Sequence, residues 1–155
     1  MSYTEFNAQR ALQALTGLRQ DLAGEVANNI VVRVAKNVFK KAFDNISGPR
    51  IPKKEWRKSP FAGSWPVPVR TGHLRHSLYM ILPGSAVEGL GAGKFTVGLG
   101  EAYVGDSAKY AGEIEDGPRG NKRPFLTGPA REYLGLAPQI AEEELDKAVK
   151  KHGLE

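Results

Sequence analysis

The feature that most restricts the fold of this chain is a long apolar stripe in its first third. From Leu18 onwards, large apolar side chains recur every four residues, at Leu22, Val26, Ile30, Val34 and Val38. That spacing places them on one face of a helix, while charged side chains occupy the opposite face. The pattern ends at Gly48 and Pro49, because proline lacks an N–H and disfavours helix in the residue before it. A helix of about 28 residues would be about 42 Å long, so we expect part of it to project beyond its own core.

A shorter amphipathic segment, which contains Phe6, Leu12 and Leu15, precedes this helix. Gly17 lies between the two segments and predicts a break, because glycine is a poor helix former. The first third is therefore predicted as two helices of unequal length.

Short strands are predicted in the middle of the chain. Residues 78–82 form an apolar run closed by Pro83 and Gly84, and residues 95–99 alternate between apolar and small or polar side chains. Weaker strand signals lie at residues 86–87 and 103–104. The glycine-rich residues 89–93 predict a hairpin with a loose tip, and the close spacing favours antiparallel pairing.

The last third returns to helical patterns. Pro129 fits the first turn of a helix that would end at Gly135, and Pro138 would begin a final helix. Helices at both ends around short strands predict an α+β fold. In that fold a long N-terminal helix and C-terminal helices pack on a small, mainly antiparallel β-sheet.

Composition agrees with a single domain covering residues 1–155. The chain is 41% hydrophobic and 25% charged, as in soluble globular proteins, and it has no cysteine, which excludes disulfides and thiolate zinc sites. No apolar run approaches the roughly 20 residues that cross a bilayer, and the start lacks a secretory signal pattern. We therefore expect no membrane partner.

Residues 47–70 form a proline-rich basic loop without periodicity, and a connection of this length indicates a functional loop. Residues 50–75 contain seven lysines and arginines against one acid, so their net charge is 7 − 1 = +6 in a chain of net charge +5. The candidate contact residues in this loop are Arg50, Lys53, Lys54, Trp56, Arg57, Lys58 and Arg70.

Three interpretations of the basic loop stay open. Lysines and arginines neutralise phosphates whatever the base sequence, and Trp56 could stack on a base, although no recognition-helix or sheet-platform pattern is present. The same cations could bind the acidic face of another copy of the chain. The third interpretation is a solvated loop without a partner.

An acidic turn forms the second candidate surface. Ser107 is expected to cap a short helical turn in which Tyr110 stacks on Ile114, and Gly117 ends that turn. Its candidate interface residues are Glu113, Glu115 and Asp116, which we expect to be exposed.

Neither catalysis nor a bound cofactor or metal is expected. His73 and His76 would share a helix face, but a metal site needs a third ligand and supporting hydrogen bonds, and no acid lies within ten positions of them. We therefore predict a solvated turn there. No segment places a nucleophile beside a base, and the glycines at 89–93 lack the lysine and helix of a phosphate-binding loop.

Three motifs in the second half of the chain resemble those of one family, the tail-completion or neck proteins of long-tailed bacteriophages. The first is TGHLRHS at residues 71–77, with Thr71, Gly72 and Leu74 in the family's "TG.L..S" pattern. The second is YAGEIEDG at residues 110–117, with Tyr110 and Gly117 in place, although Pro118 follows where the family has threonine or serine. The third is RPFLTGPA at residues 123–130, which contributes Arg123, Pro124 and Phe125. Together with the long helix and the basic loop, the resemblance covers about residues 18–150.

This resemblance implies a structural virion protein, made in the host cytoplasm and placed in the tail or neck. Such a subunit assembles with copies of itself into a ring, expected to be a hexamer, at the junction of connector and tail through which DNA passes. Its implied partners are connector, head-closure, tail-terminator or tail-tube proteins, with sequence-independent contact to double-stranded DNA through residues 50–58 as the alternative. In a ring, each subunit offers one surface and receives the complementary one, which suits opposite charges on separate segments.

Overall fold

The computed structural model describes residues 8–55, 66–69, 71–87, 94–117 and 122–154. Helix α1 (Ala8–Asp21), a π-helical segment (Leu22–Val26) and helix α2 (Ala27–Asn45) follow one another without a break in the helical backbone. The predicted break at Gly17 is therefore wrong. A Cβ added at Gly17 would lie 2.7 Å from Cε1 of His152, so this glycine permits the close approach of the C-terminal segment.

The π-helical segment divides the predicted apolar stripe into two faces. Leu22 and Val26 are four residues apart and would share a face in a regular α-helix, yet Leu22 is 41% exposed and Val26 only 6%. A π-helical turn holds one more residue than an α-helical turn, so the faces before and after it are rotated relative to each other. The prediction that Leu22 and Val26 share one face is therefore wrong.

Helix α2 ends at Asn45, close to the predicted stop. Its buried face carries Ala35, Val38 and Ala42, and Ile46 continues the helix end by donating its N–H to the Ala42 carbonyl.

A second long helix, α5 (Thr127–Lys151), lies antiparallel to α2. Arg33 contacts Glu144 near the middle of the pair, and His152 contacts Asp21 at one end.

Helix α5 is continuous, so the two helices predicted around Gly135 and Pro138 are wrong. Pro138 has no N–H to donate to the Leu134 carbonyl. Leu134 and Pro138 are both exposed, so water reaches this turn and can bond the carbonyl instead. Tertiary packing of the buried Pro129, Ile140 and other residues on the opposite side keeps the helix in one piece.

The strands form two separate antiparallel pairs. Strand β1 (Leu78–Ile81) pairs with β4 (Tyr103–Asp106), and β2 (Ala86–Val87) pairs with β3 (Phe95–Thr96). The antiparallel prediction is confirmed, although β3 is shorter than the alternation over residues 95–99 suggested. The hairpin tip at residues 88–93 lies outside the described residues.

The main core of this α+β fold collects side chains from α2, the segment at residue 67, the start of β1 and the segments on either side of residue 117. Phe125, which is 1% exposed, is its most buried large residue. It shares a cluster with Ala42, Ile46, Val67, Leu74, Leu78, Ala108 and Ala111. Ile81, Val87 and Val97 form a smaller cluster between the strand pairs. In the described residues, no helix is long and apolar enough to cross a membrane.

Candidate functional site

The basic loop is closed at its base by two segments that run parallel to each other. Val67 donates its N–H to the Asn45 carbonyl at 2.6 Å and accepts from the Gly48 N–H at 3.0 Å. Further along, the Val69 N–H donates to the Pro49 carbonyl at 3.1 Å, and the Ile51 N–H donates to Val69 at 2.9 Å. The chain therefore leaves and re-enters the body of the protein at one place.

Two features of the sequence explain this closure. Ile51 and Val67 are buried, so the hydrophobic effect holds both sides of the loop base against the core. At Gly48 an added Cβ would lie 2.6 Å from the Pro66 carbonyl oxygen and 2.7 Å from that of Val67. Because those neighbours are backbone atoms, only glycine fits there.

The described cations of the loop face solvent. Arg50, Lys53 and Lys54 are exposed, and the two lysines lie in a short 3₁₀ turn (Lys53–Glu55) just beyond the closed base. None of the three forms an ion pair with another described residue. The other predicted contact residues, Trp56, Arg57, Lys58 and Arg70, lie outside the described residues.

The TGHLRHS motif forms the turn that follows the loop. Thr71 Oγ1 accepts the His73 N–H at 3.2 Å, so the Thr71 side chain bonds the first residue of the helix that follows. Gly72 has φ +82°, in the left-handed region, and leads into helix α3 (His73–Ser77), from which Leu74 enters the core. Helix α3 continues directly into β1, so the loop is placed beside the β1–β4 pair.

Both histidines lie on helix α3 and are exposed. His73 Nε2 lies 3.5 Å from Ser77 Oγ, and its ring lies 6.0 Å from that of Tyr110. The described residues contain no group of three metal-binding side chains.

Asp106 is a polar group near His73 that the sequence did not reveal, since only the antiparallel register brings it opposite Leu78. Its Oδ1 accepts the Ala108 N–H at 2.8 Å, whereas its buried Oδ2 has no hydrogen-bond partner. Burial raises the pKa of Asp106, and the Ala108 N–H and the charge of His73 act in the opposite direction. The prediction that Ser107 caps the acidic turn is wrong, because the N-cap of that helix is Tyr110 and the Ser107 Oγ donates to the Ser77 carbonyl.

The acidic turn is helix α4 (Ala111–Asp116), and its three acids differ in role. Glu113 and Asp116 are exposed, as predicted. Glu115 turns inward, and its carboxylate accepts the N–H of Leu126 at 3.2 Å and of Thr127 at 2.5 Å. The prediction that Glu115 is exposed is therefore wrong, because it is partly buried and caps the N-terminus of α5.

The end of this turn follows the prediction, since Gly117 ends the helix by donating its N–H to the Glu113 carbonyl. Ile114 packs against the core, whereas Tyr110 is exposed and its ring lies near that of His73.

The three motifs meet around Phe125. Its cluster includes Leu74 of the first motif and Ala111 of the second. Arg123 donates its N–H to the Ile114 carbonyl at 3.1 Å, and Asn45 Nδ2 donates to the Phe125 carbonyl at 3.3 Å. Pro124 is exposed beside them. The motifs thus specify mainly the core that holds the basic loop and the acidic turn, and only a few of their residues face outward.

The N-terminal part of α1 forms an arm beyond the end of α5. Leu12 and Leu15 precede Gly17 and are 65% and 54% exposed. Asp21 anchors the base of this arm, since its Oδ2 lies 2.9 Å from Lys151 Nζ and 2.8 Å from His152 Nε2. The hydrogen bonds from Lys151 and then His152 lower the pKa of Asp21.

Comparison with known proteins identifies no relative: no protein-family model, curated protein or solved structure matches this chain.

Proposed function

We propose that this chain is a structural subunit of a bacteriophage virion, a tail-completion or head–tail joining protein. In this proposal it is made in the host cytoplasm, has no catalytic role, and assembles with other copies into a ring, expected to be a hexamer, at the connector–tail junction. Its other partners would be the adjoining connector, head-closure, tail-terminator or tail-tube proteins.

The observation that carries the proposal is the closed base of the basic loop. A loop whose ends are fixed presents Arg50, Lys53 and Lys54 from a defined position, which reduces the ordering cost of binding. Exposed acids of opposite charge, Glu113 and Asp116, lie on a separate helix of the same chain. A head-to-tail ring joins two such different surfaces at every interface.

A charge exchange tests this interface. We expect Lys53→Glu/Lys54→Glu and, separately, Glu113→Lys/Asp116→Lys to weaken ring formation, because each places like charges opposite each other. The chain with all four substitutions should recover the ring, since every interface then regains opposite charges. Native mass spectrometry at matched protein concentration measures the oligomer, and negative-stain electron microscopy shows whether it is a ring.

The matched control is Arg131→Glu/Lys150→Glu, two exposed positions on α5 that receive the same change in charge. This variant should assemble like the wild type. A wild-type chain that stays monomeric at high concentration, and that also binds no connector or tail component, would contradict the proposal. If the variant with all four substitutions fails to recover assembly, the hypothesis that the basic loop of one subunit contacts the acidic turn of the next is wrong.

A second candidate function is sequence-independent binding of double-stranded DNA by the basic loop. It is favoured by the exposure of Arg50, Lys53 and Lys54 and by the lack of ion pairs to other described residues. Binding would weaken steeply with salt and would be lost when Lys53, Lys54, Arg57 and Lys58 are neutralised. No measurable binding at low salt would end this candidate.

A further inference from the structure

Helix α2 carries a row of exposed cations that the basic loop does not include. Lys36 and Lys40 are one turn apart on the side of α2 that faces away from the buried Ala35, Val38 and Ala42, and Lys41 flanks them. All three are exposed, and none forms an ion pair with another described residue. The row therefore has charge available for a partner.

Arg75 extends this row towards the loop. Phe43 lies two turns beyond Lys36 on the same side of α2, and the guanidinium of Arg75 lies 5.6 Å from the centroid of its ring. A cation held over an aromatic ring at this distance is attracted to the face of the ring. The contact fixes a third charge in line with Lys36 and Lys40, close to where α2 ends and the loop begins.

Arg33 marks the opposite limit of the row. It contacts Glu143 at 2.5 Å and Glu144 at 3.3 Å, and these carboxylates, Glu143 first, raise its pKa. Its charge is therefore compensated within the chain. Lys36, Lys40 and Arg75 form no ion pair with another described residue, and Asp44, one turn after Lys40, is an exposed acid beside them.

We propose that Lys36, Lys40 and Arg75, on the two helices that flank the basic loop in the chain, form a contact surface for the phosphate backbone of double-stranded DNA. Seven residues of α-helix separate Lys36 from Phe43, about 10 Å along the axis, and duplex DNA carries roughly six phosphates over that length. A straight helical row suits a rod-shaped polyanion. Because cations without base-reading groups neutralise phosphates regardless of sequence, the surface would bind DNA without sequence preference.

This inference rests on the second candidate function, DNA contact by the loop, and adds a second set of phosphate contacts to it. The test measures binding of a fluorescent duplex to the full-length chain over a range of salt concentrations. We expect Lys36→Gln/Lys40→Gln to reduce the slope of log K against log salt by about 1.8, or about 0.9 for each lost contact. If the variant and the wild type bind equally at 1 M salt, this difference in slope makes the variant bind up to roughly 60-fold more weakly than the wild type at 0.1 M salt.

Two further variants separate the possible results. Arg131→Gln/Lys150→Gln removes the same charge from α5 and should leave the slope unchanged. Lys53→Gln/Lys54→Gln tests the loop on its own. If the loop variant lowers the slope and the α2 variant does not, the loop contact stands and this inference is wrong. If the wild type binds no DNA at low salt, both are wrong.

Assembly provides an independent readout. If Lys36→Gln/Lys40→Gln disrupts the oligomer in native mass spectrometry but keeps the wild-type salt slope, the row contacts protein and the inference is overturned. Circular dichroism of each variant confirms that α2 remains folded, since both positions are exposed and glutamine is a good helix former.

Discussion

Replacement of Glu115 should destabilise the protein far more than replacement of its exposed neighbour Glu113. The Glu115 carboxylate accepts the N–H groups of Leu126 and Thr127, which have no partner within α5 because they lie at its start. Loss of a cap costs about 0.5–2 kcal/mol, and loss of a negative charge at a helix N-terminus costs about 0.3–1 kcal/mol. We therefore expect Glu115→Ala to lower the free energy of unfolding by about 1–2.5 kcal/mol.

Glu115→Gln separates the two contributions. Glutamine keeps an acceptor oxygen at the same reach but carries no charge, so we expect a loss of about 0.5–1 kcal/mol. Glu113→Ala is the matched control on the same short helix and should change stability by less than about 0.5 kcal/mol.

Urea unfolding followed by circular dichroism at 222 nm gives the free energies, with the slope m compared between variants. Equal stabilities for Glu115→Ala and Glu113→Ala would refute the capping role. Equal stabilities would also indicate that Glu115 is a surface acid like Glu113 and Asp116.

Three further predictions concern the loop base, the long C-terminal helix and the arm. Gly48→Ala should lower the free energy of unfolding in urea by about 1–3 kcal/mol, since the added Cβ would overlap backbone oxygens. Gly112→Ala is the control and should not destabilise the protein, because a Cβ there meets no atom within 4 Å. Equal losses of stability in the two variants would contradict this reasoning. Pro138→Ala should raise stability by about 1–2 kcal/mol because α5 gains a hydrogen bond, whereas no gain would indicate two helices. The pKa of Asp21 is lowered in the folded chain. Its ion pairs therefore stabilise the fold fully above the unfolded-state pKa of about 3.9, and this stabilisation is lost as the pH falls through the folded-state pKa. Asp21→Asn should therefore lower the urea midpoint at pH 7, and this difference from the wild type should shrink as the pH falls below about 3.9. A difference that stays constant with pH would exclude the ion pairs as its cause.

The parts of the fold that follow local periodicity could be predicted from the sequence. The core face of α2, the antiparallel β1–β4 pair and the start of α5 after Phe125 each follow from patterns within a few residues. The α+β class follows from their order along the chain.

The wrong predictions share a different cause, namely contacts between residues distant in sequence. Gly17 continues a helix because His152 packs against it, and Pro138 is tolerated because the buried side of α5 is held by the core. Local propensity favours a break at both places, but tertiary packing prevails. Neither contact has a local sequence signal.

The candidate surfaces show the same division. The exposure of Glu113, Lys53 and Lys54 follows from charge and turn patterns, and the structure agrees. The inward role of Glu115 and the position of Asp106 depend on how α4 meets α5 and on strand register. These features require the assembled fold.

The π-helical turn at Leu22–Val26 determines where the arm points its leucines. Deleting Gly24 would remove the extra residue and convert this turn to regular α-helix. Because each α-helical residue rotates the side-chain direction by about 100°, Leu12 and Leu15 would rotate about the helix axis by roughly that angle. Every side chain of the arm would be kept, yet its two leucines would face in a different direction. The length of this one turn therefore sets the direction in which the apolar side of the arm faces.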